Sequence, residues 1–247
     1  MIFAKRFGVL SLVAASFCVD VQAQENCNFE VKLLLAPTQV RAAISSLHAT
    51  KRLRTRIYFY DTPALDLLSK GLILRLRQGA SNDLTAKLRP LPGERFSSSS
   101  VRERPKCEVE ITGGVEGRSY SVGTSYSAGH APETGEEIVR LLSSGQKRLI
   151  EDSQIQIDWT KVKRVAEIQS TSWTVPAQAP LHKFSMELWD SPNGKILEVS
   201  TKVGPDAGRA AYTELESVAK KNGLELSAVQ QSKTATALKE MNAVPAR

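Results

Sequence analysis

Several short segments of this 247-residue chain alternate between apolar and charged side chains, and this alternation limits the folds that the chain can adopt. In residues 72–77 three leucines alternate with an isoleucine and two arginines. In residues 84–89 Lys87 and Arg89 likewise share one face of the segment. Successive side chains of a β-strand point to opposite faces of its sheet. Each segment is therefore predicted to be a strand with one apolar and one charged face.

The rest of the chain reads as further strands separated by a few helices. The same alternation, with a period of two residues, predicts strands at 29–33, 107–111, 184–188 and 197–202. The pattern is weaker at 55–60 and 155–168, where strands are also predicted. Amphipathic or capped stretches predict helices at 37–47, 65–70, 133–142, 206–222 and 227–241. Loops are predicted at 90–106 and 113–132, with a hairpin turn at 190–194. This order indicates the α+β class with an antiparallel sheet.

The charged faces admit two interpretations. An antiparallel sheet commonly exposes one face to water, which would make these charges ordinary surface groups. The charges are, however, segregated by strand, since Glu108 and Glu110 form an acidic face whereas Arg75 and Arg77 form a basic one. A closed barrel with these faces inward would form a polar tunnel whose cations bind a polyanion and whose carboxylates hold a hard divalent cation.

The distribution of charge suggests an anionic partner. The chain carries +7 in total, but residues 51–106 hold 13 basic and 5 acidic side chains, so the remainder is close to neutral. Four of these cations, Lys51, Arg52, Arg54 and Arg56, lie together without interleaved aromatic residues. An ordinary solvated charge run explains them as well as a nucleic-acid surface does, and no nucleic-acid partner is expected. An apolar content of 41% and a charged content of 24% exclude a disordered or fibrous chain.

The N-terminus has the layout of a secretory signal peptide. Lys5 and Arg6 precede an apolar run at 7–19, and small or aliphatic residues lead to a cleavage position near Ala23. The run is too short to span a bilayer, which takes about 20 residues. We therefore expect an exported protein, periplasmic or secreted, whose mature form is one domain at 24–247 without a membrane anchor.

Two cysteines remain after the predicted cleavage, Cys27 and Cys107. An exported protein can oxidise such a pair, but the sequence leaves their separation open. His48, His130 and His182 are scattered without the spacing of metal ligands, so they are interpreted as surface or packing residues.

Several of these segments, taken in order, resemble the CYTH superfamily, the triphosphate tunnel metalloenzymes. The most specific is the run at 58–77 (YFYDTPALDLLSKGLILRLR), and Phe29-Glu30-Val31-Lys32, Glu108-Val109-Glu110 and residues 196–202 match as well. The resemblance covers about residues 28–239. It implies an eight-stranded antiparallel β-barrel, open at both ends, with helices packed outside, and an enzyme that cleaves or cyclises triphosphates with Mg²⁺ or Mn²⁺.

The resemblance also implies roles for individual residues, each of which could otherwise be part of a cross-strand ion pair. The implied metal ligands are carboxylates, namely Glu108, Glu110, Glu187 and Glu198, with Glu30 as a further ligand or as the group that orients the attacking water. The implied phosphate-binding cations are Lys32, Arg75, Arg77, Lys87, Lys163 and Lys202, with Arg89, Lys161 and Arg164 as additions. Among them, Arg75 and Lys87 would neutralise the leaving phosphate.

The chain departs from the family at one position of its first motif. Asn28 stands where the family has a glutamate, so it cannot supply that negative charge. The expected function is an exported, metal-dependent phosphohydrolase that acts on inorganic tripolyphosphate or an organic triphosphate. The alternative is a non-catalytic protein of the same fold that binds polyphosphate or another anion.

Overall fold

Nine β-strands form the body of the protein. The computed structural model describes residues 26–99, 104–127, 129–177 and 184–242, so the predicted signal peptide at 1–23 lies outside the described residues. The strands are β1 (Asn28–Leu35), β2 (Thr50–Asp61), β3 (Leu72–Gly79), β4 (Asp83–Leu88), β5 (Lys106–Thr112), β6 (Val115–Ser125), β7 (Lys163–Val175), β8 (Phe184–Ser191) and β9 (Gly194–Val203).

The strands close into a barrel in the order β1-β5-β6-β4-β3-β2-β7-β8-β9, and β9 pairs with β1 to complete it. The predicted tunnel barrel of the α+β class is thereby confirmed, with two differences. The barrel has nine strands where eight were expected, and β1 runs parallel to β5 while the other pairs are antiparallel.

The strand β6 lies in a region that the sequence predicts to be a loop. Its sequence, VEGRSYSVGTS, has few apolar residues, so the period of two is hidden. A tight turn joins it to β5 at Gly113 and Gly114, both of which have positive φ angles, a backbone conformation that glycine adopts without strain. The predicted strand at 155–168 likewise begins later than expected, at the start of β7.

The described residues also form six α-helices and one 3-10 helix (Pro37–Gln39), and the last two α-helices follow the final strand. The α-helices are α1 (Val40–Ser46), α2 (Asp66–Ser69), α3 (Gly135–Leu141), α4 (Ser144–Asp152), α5 (Gly208–Lys221) and α6 (Lys233–Asn242). The helix α4 was not predicted, although Ser143 and Gln146 form a capping box at its start. Gln146 also donates a hydrogen bond to the carbonyl oxygen of Leu84 at 2.7 Å, which fixes α4 against the barrel. No helix within the described ranges is both long and apolar enough to cross a bilayer.

The apolar strand faces point outward and are covered by helices. Helices α1 and α5 bury one cluster against β1, β7, β8 and β9, which includes Leu33, Val199 and Leu215. Helices α3 and α4 bury a second cluster against β3 and β4, which includes Leu74 and Leu149. Because side chains alternate across each strand, this outer burial turns the charged faces toward the barrel axis.

A third apolar cluster closes one end of the barrel from within. It joins inward residues of the strands to α6, and its members are Ile57, Phe59, Ile73, Ala166, Ile168, Trp189, Ala237 and Leu238. The resemblance implied that both ends are open, and the structure differs because α6 packs its apolar side into this end. Within the part of the chain that the structure describes, the tunnel is therefore closed at this end, and its other end is called the mouth.

A disulfide bond joins Cys27 to Cys107, which answers the question that the sequence left open. The two residues stand beside the parallel pair of β1 and β5, and their Cα atoms are 4.9 Å apart. The bond ties together segments separated by 80 positions in the chain.

We expect replacement of both cysteines by serine to lower the free energy of unfolding by about 2–5 kcal/mol, because the bond restricts a long loop of the unfolded chain. Urea denaturation monitored by circular dichroism measures this difference. The unreduced protein and the protein treated with dithiothreitol form the matched comparison, and an unchanged midpoint after reduction would contradict the prediction.

Candidate functional site

The inward faces of the strands enclose a cavity of about 630 Å³. Eight cations and six carboxylates line it, which gives the lining a net charge of +2 when all are ionised. The cations are Lys32, Arg75, Arg77, Lys87, Arg89, Lys106, Lys202 and Lys233, and the carboxylates are Glu30, Asp83, Glu108, Glu110, Glu187 and Glu198.

Glu110 is the centre of the first group of charges. Its carboxylate accepts hydrogen bonds from Lys87 and, at 2.8 Å, from Arg89, and the ammonium of Lys32 lies at 3.1 Å. Burial alone would raise the pKa of Glu110, but the attraction of Arg89, Lys32 and Lys87 is larger and holds it far below its ordinary value. Glu110 is therefore a permanent anion between three cations.

Glu30 and Glu108 extend this group toward the tunnel mouth. Lys32 lies 2.8 Å from Glu30, and Lys202 lies 3.4 Å from Glu30 and 2.7 Å from Glu108. Burial raises the pKa of Glu30, but Lys32 and Lys202 outweigh it and lower this pKa from 4.5 to about 2. The pKa of Glu108 is also lowered, because hydrogen bonds from Lys106 and Lys202 overcome the effect of burial.

A second group of charges lies beside the closed end. Glu187 of β8 and Glu198 of β9 are register partners, and the ammonium of Lys233 from α6 contacts both. The hydroxyl of Ser170 donates a hydrogen bond to Glu187 at 2.5 Å. Burial opposes ionisation of Glu187, yet Lys233 and Ser170 lower its pKa to about 2.

Arg75 and Arg77 are held more loosely than the other inward cations. Among the described residues, Asp83 is the carboxylate that lies within 4.0 Å of them, at 4.0 Å from Arg75 and 3.9 Å from Arg77. Burial and the neighbouring Arg77 lower the pKa of Arg75 to about 10, so it remains a cation at neutral pH. Within the described part of the chain, the buried Nε of Arg75 has no hydrogen-bond acceptor. A donor of this kind suits a bound anion, since an unpaired buried donor is costly.

The structure brings ten of the eleven implied site residues to the cavity wall. These are Glu30, Lys32, Arg75, Arg77, Lys87, Glu108, Glu110, Glu187, Glu198 and Lys202. Of the three additional cations, Arg89 also lines the cavity. Lys161 pairs with Asp158 at 3.3 Å, and Arg164 stacks over the ring of Tyr58, so both lie away from it.

The placement of Lys163 corrects its implied role as a phosphate-binding residue. Lys163 is exposed at the first position of β7 and is not part of the cavity wall. The pairing of β2 with β7 shifts register between Phe59 and Tyr60, and the inward positions of β7 that follow are Ala166 and Ile168. Ala166 and Ile168 belong to the apolar cluster that closes this end of the barrel, and Lys163 lies at the start of the strand, where its side chain is exposed.

Sequence reasoning missed Asp83, Lys106 and Lys233 as residues of the cavity wall. Asp83 begins β4 in alternation with Lys87, and Lys106 precedes Glu108 by two residues, so both continue inward faces that the period of two had identified. Lys233 lies on the helix predicted at 227–241, where it shares a face with Ala237. A lysine on the apolar face of a helix could have indicated that this side chain is buried in a charged site.

The carboxylates of the cavity have the ligand chemistry that a divalent cation prefers, but their positions do not all suit a metal site. Carboxylate oxygens are the ligands that Mg²⁺ and Mn²⁺ prefer. Among the described residues, however, no three His, Cys, Asp or Glu side chains form a group that could hold a metal ion. Glu30, Glu108 and Glu110 lie on the adjoining strands β1 and β5, each in contact with lysine, and Lys233 lies between Glu187 and Glu198. Asn28 is exposed and is not part of the cavity wall.

Comparisons with known proteins agree with this fold. No family model matches the chain, and no curated protein matches its sequence. Among solved structures, the chain superimposes on HpAC1 from Hippeastrum, a candidate adenylyl cyclase described as having a dominant triphosphatase activity. The TM-score is 0.54 at 18% identity, and the match covers 85% of this chain and 94% of that one. A candidate adenylate cyclase from Bacillus halodurans superimposes with a TM-score of 0.51 at 11% identity, over 85% of this chain and 97% of that one. At these identities the likeness shows a shared fold, that of the closed barrel with helices outside.

We expect the free energy of unfolding to fall at acidic pH because the carboxylate of Glu30 becomes protonated. Its folded pKa of about 2 lies below its ordinary value of 4.5, so its contribution is present above pH 4.5 and is lost as the pH falls toward 2. The Glu30→Gln variant should be less stable than the native protein by up to about 3 kcal/mol at neutral pH, with the difference vanishing near pH 2. Urea titrations over this pH range measure it.

The exposed Glu167 on the outer face of β7 provides the matched control, and Glu167→Gln should follow the native profile. A difference between Glu30→Gln and the native protein that persisted unchanged down to pH 2 would contradict the prediction.

Proposed function

We propose that the tunnel binds and hydrolyses a triphosphate, either inorganic tripolyphosphate or an organic triphosphate, with Mg²⁺ or Mn²⁺. The observation that carries the proposal is the loosely held pair Arg75 and Arg77, whose guanidinium groups face the cavity while their nearest carboxylate is at 3.9–4.0 Å. Guanidinium groups bind phosphate oxygens bidentately, and a phosphate would supply the acceptor that the Nε of Arg75 lacks. The triphosphatase activity described for HpAC1, which shares the fold, supports the same substrate class.

The electrostatics of the cavity favour a strongly charged anion. The lining carries +2, and its carboxylates are already compensated by cations, so an entering phosphate chain meets few unpaired negative charges. A closed barrel also keeps the charges in surroundings of low dielectric constant, where their attraction exceeds that between exposed groups. Binding of this kind needs no aromatic surface for a base.

In the proposed reaction, water attacks a phosphorus atom, a new P–O bond forms and the bridging P–O bond breaks. The electron pair of the broken bond stays on the leaving phosphate, and the proton of the attacking water passes to the surrounding solvent. Arg75 and Arg77 bind the non-bridging oxygens, and Lys87 neutralises the negative charge that gathers on the leaving phosphate. Glu30 accepts a hydrogen bond from the attacking water and so orients it. Catalysis of this type consists of positioning and electrostatic stabilisation.

We propose that the divalent cation would bind near the mouth of the tunnel. Glu30, Glu108 and Glu110 would hold it, and bound there it would neutralise phosphate oxygens that the arginines do not reach. Lys32 and Lys202 would then turn from these carboxylates toward the phosphate chain.

A non-catalytic anion-binding protein is the second candidate. Asn28 removes one carboxylate of the family's first motif, and the remaining carboxylates are paired with lysine or arginine in the structure. A site of this kind can bind polyphosphate through its cations without activating water.

We further propose that the protein acts outside the cytoplasm, as the signal-peptide pattern at 1–23 indicates. The disulfide between Cys27 and Cys107 supports an oxidising compartment. The basic run of Lys51, Arg52, Arg54 and Arg56 is exposed, in keeping with a solvated charge run, and no nucleic-acid partner or membrane anchor is proposed.

We expect Lys87→Ala to lower phosphate release from tripolyphosphate by at least about tenfold, because a cation at the leaving phosphate is lost. The fold should persist, since Glu110 keeps Lys32 and Arg89 as partners. Malachite-green detection of phosphate with Mg²⁺ or Mn²⁺ measures the rate, and circular dichroism checks the fold.

Lys163→Ala is the matched control for this variant, because Lys163 is exposed outside the tunnel and its removal should leave the rate unchanged. Full activity of Lys87→Ala would overturn the proposed role. If tripolyphosphate raises the melting temperature of the native protein without any phosphate release, the protein is the anion-binding alternative.

A second prediction concerns pH. Burial lowers the pKa of Lys87 from 10.5 to about 8 although Glu110 opposes the shift, so Lys87 loses its proton as the pH rises through 8. The affinity for tripolyphosphate should therefore fall by up to about tenfold between pH 7 and pH 9. Isothermal titration calorimetry at several pH values measures it.

Lys87→Arg separates this effect from the ionisation of the ligand, because arginine keeps its charge over the whole range. The ratio of the native affinity to that of Lys87→Arg should fall with rising pH. A ratio that is constant from pH 7 to pH 9 would show that Lys87 does not titrate there.

A further inference from the structure

The two carboxylates beside the closed end are arranged as a divalent-cation site would be, yet a lysine lies between them. Glu187 and Glu198 face each other across the pairing of β8 with β9. The Nζ of Lys233 is 2.9 Å from Oε1 of Glu198 and also contacts Oε2 of Glu187. The ammonium thus lies where a metal bridging the two carboxylates would have to lie.

Lys233 is buried deep in the tunnel and is partnered on several sides. Only 10% of its side chain is exposed, and its Nζ lies 4.5 Å from the centroid of the Trp189 ring, within the range of a cation–π interaction. Ser170 binds the second oxygen of Glu187, so that carboxylate has little freedom to turn toward another cation. The carboxylates of Glu187 and Glu198 flank the buried ammonium and compensate its charge.

The helix that carries Lys233 is anchored to the barrel. Ala237 and Leu238 pack in the apolar cluster that closes the tunnel. The side-chain amide of Asn193, in the turn between β8 and β9, donates a hydrogen bond to the carbonyl oxygen of Glu240 at 2.9 Å. Moving Lys233 out of the site would therefore disturb the packing of α6, which holds the ammonium in place.

We propose that Lys233 replaces a divalent cation in this protein, so that Glu187 and Glu198 bind no Mg²⁺ or Mn²⁺ while α6 is docked. Any divalent cation that enters with a phosphate chain is confined to the carboxylates near the mouth. The closed end then offers a fixed positive charge that does not depend on the metal concentration. This inference holds whether the tunnel hydrolyses its anion or only binds it.

Binding of Mn²⁺ alone, followed by electron paramagnetic resonance, tests the proposal in four proteins: the native chain, Glu198→Gln, Lys233→Met and the double variant. Glu198→Gln should change the native Mn²⁺ affinity by less than about twofold, because Glu198 is not a ligand there. Lys233→Met should gain a Mn²⁺ site at least about tenfold tighter than any in the native protein, since two unpaired buried carboxylates then face each other. The double variant should lose that site.

Lys239→Met, an exposed lysine of the same helix, is the matched control and should bind Mn²⁺ as the native protein does. Lys233→Met can also be destabilised, because it leaves two buried carboxylates without a cation. In that case Mn²⁺ should raise its melting temperature more than that of the native protein.

Two results would overturn the proposal. One is a loss of native Mn²⁺ affinity of about tenfold or more in Glu198→Gln, which would make Glu198 a metal ligand beside Lys233. The other is a folded Lys233→Met that gains no Mn²⁺ site. If Lys233→Met does not fold even with Mn²⁺, the Glu198→Gln measurement decides alone.

Discussion

Opposite charges enclosed in one barrel must neutralise each other, and this requirement governs the interior of the protein. An isolated ion in such surroundings would lose several kcal/mol of hydration free energy, which only close partners can offset. Glu110 shows how the strands meet the requirement, because its three partners come from β1 and from the end of β4. The parallel pairing of β1 with β5 places Lys32 within reach of Glu110, so the one parallel seam among the described strands also serves charge balance.

Much of the interior was predictable because alternation is a local property of a strand. The leucines of residues 72–77 predicted which face of β3 packs against the outer helices. The opposite face, which carries Arg75 and Arg77, was therefore predicted to point into the barrel. The same logic placed Lys87, Glu108 and Glu198. The resemblance supplied what alternation alone left open, namely that the sheet closes.

The errors arose where distant parts of the chain decide the outcome. The placement of Lys163 depends on how β7 pairs with β2 and on the apolar cluster that fills this end of the barrel, and β7 reveals neither by itself. The role of Lys233 depends on a helix packing into a barrel formed by residues far earlier in the chain. The strand β6 was missed because its few apolar residues hide the alternation.

The closed end has a consequence for how any long ligand can enter. Lys106 and Lys202 are about half exposed at the mouth, whereas Lys233 lies almost enclosed at the opposite side of the cavity. A linear anion that follows this series of cations inward cannot pass through, because α6 fills the far end. It must present a terminus, and the segments behind that terminus stay outside. The depth of the channel thus sets how much of the chain, measured from its terminus, can bind inside. A segment from the middle of a long chain cannot enter the channel.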